Sequence, residues 1–158
     1  MEFESLIAEF GARYGIDGLA LTEDGAVGLA VNGQPMSLQL VPETSTVVAT
    51  IEVGEMPDAG VSSVDRLIAK ANRSLYLTDG MVLVFHSKAE HYCLLFRIDI
   101  AQLDFHGFDE KIARFLAVAD QWREFLEKFI PLAAEAATID NSDVDSSEDD
   151  FPADLIRV

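Results

Sequence analysis

Phe3, Leu6, Ile7, Phe10 and Tyr14 recur at helical spacing and are followed by Gly15, which predicts an amphipathic helix over residues 2–14 closed by glycine. From Ala26 the period shortens to two. Val27, Leu29 and Val31 share a face with Met36, Leu38 and Leu40 across a tight hairpin at Asn32-Gly33. The reverse face holds Ala26, Gly28, Ala30, Ser37 and Gln39, small or polar groups that let another backbone approach closely. A third strand is predicted over Thr46 to Val53, with Val47, Ala49, Ile51 and Val53 alternating against Val48, Thr50 and Glu52. A loop with Pro57 and Gly60 follows. Ser62 and Asp65 fit a capping box, so a second helix is expected to start there, with Val64, Leu67, Ile68, Ala71 and Leu75 as its apolar stripe. Thr78-Asp79-Gly80 turns the chain into a hairpin. The strongest helical period runs from about Phe108 to Ile130 through Ile112, Phe115, Leu116, Ala119, Trp122, Leu126 and Phe129, and Pro131 is expected to end it.

The hairpin from Met81 to Ile98 is apolar on both faces. A polar turn at Ser87, Lys88, Ala89 and Glu90 sets His86 opposite His91, Val84 opposite Cys93 and Val82 opposite Leu95. Alternation then puts Met81, Leu83, Phe85, Tyr92, Leu94, Phe96 and Ile98 on the other side, a row too large and continuous to face water. The remaining face, Val82, Val84, Cys93 and Leu95 with His86, His91 and Arg97 toward its ends, has an apolar centre and a polar rim, as association surfaces do. Burying its three aliphatic side chains stabilises by roughly 1.5 to 3 kcal/mol each. Either a second polypeptide or a helix of the same chain must cover it.

At 158 residues the chain has room for one core. Residues 1–131 read as a single α+β domain. Residues 132–158 read as an acidic, flexible tail, with seven acids and one arginine from Thr138 onward. A net charge of -17 with only 11 Lys and Arg argues against nucleic acid and anionic membranes as partners. No stretch approaches the length of a membrane span, and Met1 to Ser5 lacks a basic, then apolar, leader pattern, so a cytosolic location is expected. The single cysteine, Cys93, permits no internal disulfide.

No catalytic constellation emerges. Glycine patterns that cradle phosphates are missing, which disfavours ATP-driven action, and no cofactor is implied. Cys93 sits mid-strand between Tyr92 and Leu94, where a thiol behaves as a small hydrophobe. His86, His91 and Cys93 could be drawn as a zinc set, which keeps a small metal-binding domain as a minor alternative. Asn72-Arg73-Ser74 matches a glycosylation sequon, but it lies in a predicted helix.

The element order α-β-β-β-α-β-β-α, the run Leu21 to Gly25, the hairpin at Asn32-Gly33, the loop Gly54-Glu55-Met56-Pro57 and the segment Leu67 to Asn72 together resemble the class I type III secretion chaperones, the Tir-chaperone (CesT-like) family. The closing helix with Ala119, Trp122 and Phe125 is similar to theirs as well, and the resemblance covers about residues 1–130. It implies an antiparallel twisted sheet of about five strands with three helices. It further implies a homodimer, without enzymatic activity, that binds the N-terminal segment of a secreted effector and keeps it extended without hydrolysing nucleotide. A secretion regulator and the secretion ATPase are further candidate partners, and a regulatory adaptor of the same fold is the alternative role. Carried onto this chain, the family's dimer contact falls on Leu67, Ile68, Ala71 and Leu75 together with Val82, Val84, Cys93 and Leu95. Effector contact falls on Phe3, Ile7 and Phe10 with Val48 and Thr50, and the helix-borne members of both sets fit core packing equally.

Overall fold

The computed structural model describes residues 2–31, 33–74 and 76–140. Three helices and five strands follow one another as α1 (Phe3–Tyr14), β1 (Ala26–Val31), β2 (Gln34–Val41), β3 (Thr46–Glu55), α2 (Val61–Ser74), β4 (Val82–His86), β5 (His91–Asp99) and α3 (Phe105–Asp140). The strands form one antiparallel sheet in the order β1-β2-β3-β5-β4. The expected α+β architecture and element order are both present.

Alternation decides which side of that sheet is core. Val27, Met36, Leu38, Val47, Ala49, Ile51, Val53, Tyr92, Leu94, Ile98 and Leu83 point to one face and are buried there against Leu6, Phe10, Val64, Phe108, Ile112, Phe115 and Leu126 of the helices. The register carries this side across strands: Met36 faces Ile51, Ile51 faces Leu94, and Leu94 faces Leu83. All three helices contribute to this single core.

Polar contacts fix how the helices sit. Asp109 of α3, itself buried, accepts a 2.7 Å hydrogen bond from the Tyr14 hydroxyl and lies 3.4 Å from the Arg13 guanidinium, pinning the end of α1. The Asp109 carboxylate beside it raises the Tyr14 phenol pKa. Trp122 Nε1 donates to the Leu77 carbonyl at 3.2 Å, and Arg114 pairs with Asp79, so α3 runs back along α2 from its C-terminal end toward its start.

Two local expectations change. Ser62 is not a cap: α2 begins at Val61, and the Gly60 carbonyl accepts from the Ser63 and Val64 amides. Asp65 instead accepts a 3.1 Å hydrogen bond from the Tyr92 hydroxyl, so a tertiary partner displaces the local box. Gly60 is required there, because its φ is +76° and a Cβ would come within 2.5 Å of the Ala133 carbonyl oxygen. Pro131 does not end the last helix, which continues to Asp140. Proline inside a helix costs about 3 kcal/mol, but Leu132 to Ala137 are strong helix formers and Ala133 is anchored under Gly60. Of the predicted tail, residues 141–158 lie outside the described residues.

Candidate partner-binding surface

The sheet's second face begins from the same alternation. Across β3, β5 and β4 it carries Val48 beside Arg97, Thr50 beside Leu95 beside Val82, and Glu52 beside Cys93 beside Val84. His86 closes it opposite His91, as the four-residue turn required. Among the described residues no helix crosses this side. Val82 is 42% exposed, Val84, Leu95, Val48 and Thr50 are half-buried, and Arg97 and His86 are exposed. The second apolar face predicted from the hairpin is therefore present as an open strip.

Cys93 is the exception, buried between Glu52 and Val84 on a shallow part of the strip. Burial, and secondarily the Glu52 carboxylate, push its thiol pKa upward, away from the thiolate form that nucleophiles and metal ligands need. His86 accepts a 3.3 Å hydrogen bond at Nδ1 from the Ala89 amide. Among the described residues no three His, Cys, Asp or Glu side chains converge as a ligand set, so His86, His91 and Cys93 do not assemble one.

The helix-borne candidates are placed differently. Ile68 and Ala71 pack into the chain's own core, Leu67 is half-buried at its margin, and Leu75 lies outside the described residues. Phe3, Ile7 and Phe10 are also in the core. Phe3 nevertheless lines a groove of about 450 Å³ with Leu21, Leu40, Pro42 and Ile100, and Glu2 and Glu4 line it too. Ile7 lines a second groove with Gly11, Ile16 and Leu19. The two residues thus reach the surface only as groove walls.

The two sheet edges were not anticipated. In the β1–β2 hairpin the register places the N–H and C=O groups of Ala26, Gly28 and Ala30 outward. Those of Ala26 are taken by Thr22, whose amide donates to its carbonyl at 2.7 Å and whose Oγ1 accepts from its N–H at 3.1 Å. Gly28 and Ala30 are exposed along a free edge. At the opposite edge, Asn72 of α2 acts as a surrogate strand: its Nδ2 donates to the Leu83 carbonyl at 2.7 Å and its Oδ1 accepts from the Leu83 amide at 2.8 Å. One edge is therefore blocked at its middle and the other is open. Asn72 lay in view as a sequon, but only the tertiary contact shows what its amide does.

A model of the Tir chaperone protein (CesT) family matches residues 5–123. The chain is similar in structure to one in the crystal structure of the ExsC-ExsE complex, at 25% identity and TM-score 0.69, covering 80% of this chain and 97% of that one. It is also similar to one in the HopA1-SchA chaperone-effector complex, at 15% identity and TM-score 0.63, over 77% of this chain and 93% of that one. A third likeness is to the Yersinia pestis type III secretion chaperone SycH complex with a stable fragment of YscM2, at 17% identity and TM-score 0.58, over 77% and 99% of the two chains. The last two likenesses show the fold alone. No curated protein sequence matches the chain.

Proposed function

The chain belongs to the Tir chaperone protein (CesT) family, and from that premise we propose that it is a cytosolic type III secretion chaperone, working as a homodimer, that holds the N-terminal segment of a secreted effector extended and ready for export. The observation that carries this reading is the sheet's open apolar strip, with the three helices of the described residues on the other side. An apolar strip with a polar rim is stabilised by covering it with polypeptide, whereas a substrate pocket would be concave and enclosed.

The two proposed contacts divide the surface. Val82, Val84 and Leu95, with Cys93 beneath, form the self-association patch, while Leu67 at the core margin and Ile68 and Ala71 within the core hold α2 on the sheet's other side. The grooves lined by Phe3 and Ile7 accept apolar anchors of an extended segment, and Val48 and Thr50 offer a further shallow stretch of sheet. The free amides and carbonyls of Gly28 and Ala30 let the same segment add backbone hydrogen bonds at the β1 edge. None of these steps consumes nucleotide. The strong negative charge supports a second role on the same scaffold, an adaptor that sequesters a basic secretion regulator.

The test is to purify the full chain with its bound partner from the source organism and map the partner segment protected from proteolysis. The expected segment is extended and lies near the N-terminus of an exported protein. Protection of a whole folded domain, or of a protein that is never exported, contradicts the chaperone reading. A DNA-binding regulator as the protected partner selects the adaptor instead.

A further inference from the structure

Arg66, Lys70 and Arg73 recur at i, i+4 and i+7 on α2, on the side opposite Val64, Ile68 and Ala71, and all three are exposed. Among the described residues no ion pair reaches any of them, whereas Arg13, Arg114, Arg123 and Lys128 each meet a carboxylate. The helix has a single acid, Asp65, which is engaged by Tyr92. A stripe of three unpaired cations on one helix face is conspicuous in a chain of net charge -17.

We propose that this stripe is the docking surface for the acidic segment from Asp143 to Asp150 of the same chain. That segment places Asp143, Asp145, Glu148, Asp149 and Asp150 within eight positions and lies outside the described residues. Charge complementarity names it as the occupant, and the topology brings it within reach. α3 returns along α2, meeting Asp79, then Leu77, then Gly60 at Ala133. Asp140 therefore ends about 10 Å beyond the start of α2, at 1.5 Å per helical residue. Arg66 stands about 9 Å along α2 from Gly60, so the axial return from Asp140 is about 20 Å and the path round to the outer face of α2 is about 24 Å. Residues 141–148 span about 26 Å when extended, which carries Glu148, Asp149 and Asp150 to Arg66 and Lys70. Surface ion pairs are individually weak, but a short tether raises the effective concentration of the segment to the millimolar range.

The test uses the full chain with a nitroxide on Ser146→Cys in a Cys93→Ala background, read by line broadening of backbone amide signals. At about 0.01 M salt the amides of Arg66 to Arg73 are expected to lose about half or more of their intensity, and at about 1 M salt to recover it. Charge reversal by Arg66→Glu, Lys70→Glu and Arg73→Glu together is expected to abolish the broadening. So is neutralisation by Asp143→Asn, Asp145→Asn, Glu148→Gln, Asp149→Asn and Asp150→Asn, which leaves the folded body untouched. Unbroadened α2 amides at low salt, broadening centred elsewhere, or broadening that survives both variants overturns the proposal. Broadening found only between a spin-labelled chain and a separate isotope-labelled one assigns the segment to a second copy and overturns it equally.

Discussion

The two faces of the sheet are built from the same strands and the same kinds of residue, yet they end in different environments. On one, Leu83, Leu94 and Ile51 meet across three strands and are sealed by all three helices. On the other, Val82, Leu95 and Thr50 meet across the same strands and stay open. Apolar content alone does not make a core. What distinguishes the faces is where the connections run, since each helix packs against the side that its flanking strands point their largest side chains toward. The sheet edges repeat the contrast, with Asn72 closing β4 at Leu83 and, among the described residues, nothing closing β1 at Gly28 and Ala30.

The largest effect expected from this contrast is on the sealed face. Leu94→Ala is expected to cost about 2–5 kcal/mol in urea unfolding, because it removes a fully buried side chain and leaves a cavity. A cost below about 1 kcal/mol would mean that the core is not where the alternation puts it. At the closed edge, Asn72→Ala leaves the Leu83 amide and carbonyl without their partners, for an expected loss of about 1–3 kcal/mol. The Leu83 amide should then exchange with solvent faster than in wild type. No change in either quantity would show that the amide clamp contributes nothing.

A smaller effect is expected from pH. Burial, and next the hydrogen bond to Asp65, push the Tyr92 phenol up to about 12 from its ordinary 10.0. A phenol whose pKa is raised by folding favours the folded state while protonated, so its contribution is complete below pH 10 and is lost as pH rises toward 12. The stability difference between wild type and Tyr92→Phe should be flat up to about pH 10 and shrink above it. A difference that stays constant through that range would place the Tyr92 hydroxyl in solvent.

Much of this contrast was legible in the sequence. The hairpin register followed from a four-residue polar turn, and with it the facing of the β4 and β5 residues, although Phe85, expected in the buried row, is 42% exposed. The β1–β2 pairing followed from Asn32-Gly33 and alternation, although β2 begins earlier, at Gln34, and β3 ends later, at Glu55. What escaped were features made by contacts distant in sequence. Asp65 looked like a local cap because its tertiary partner Tyr92 is invisible to spacing. Pro131 looked like a stop because the anchor under Gly60 is equally invisible. The stripes of α1 and α2 showed that Phe3, Ile7, Phe10, Ile68 and Ala71 must be covered, but amphipathicity carries no information on whether the cover is this chain or another.

The most direct test of the open face is sedimentation equilibrium of the full chain at micromolar concentration, alongside Leu95→Asp and Val84→Asp. Twice the chain mass is expected for wild type, the single chain mass for both variants, and an unchanged far-ultraviolet circular dichroism spectrum in all three. A wild-type monomer, or variants that remain dimeric with their fold intact, would contradict it.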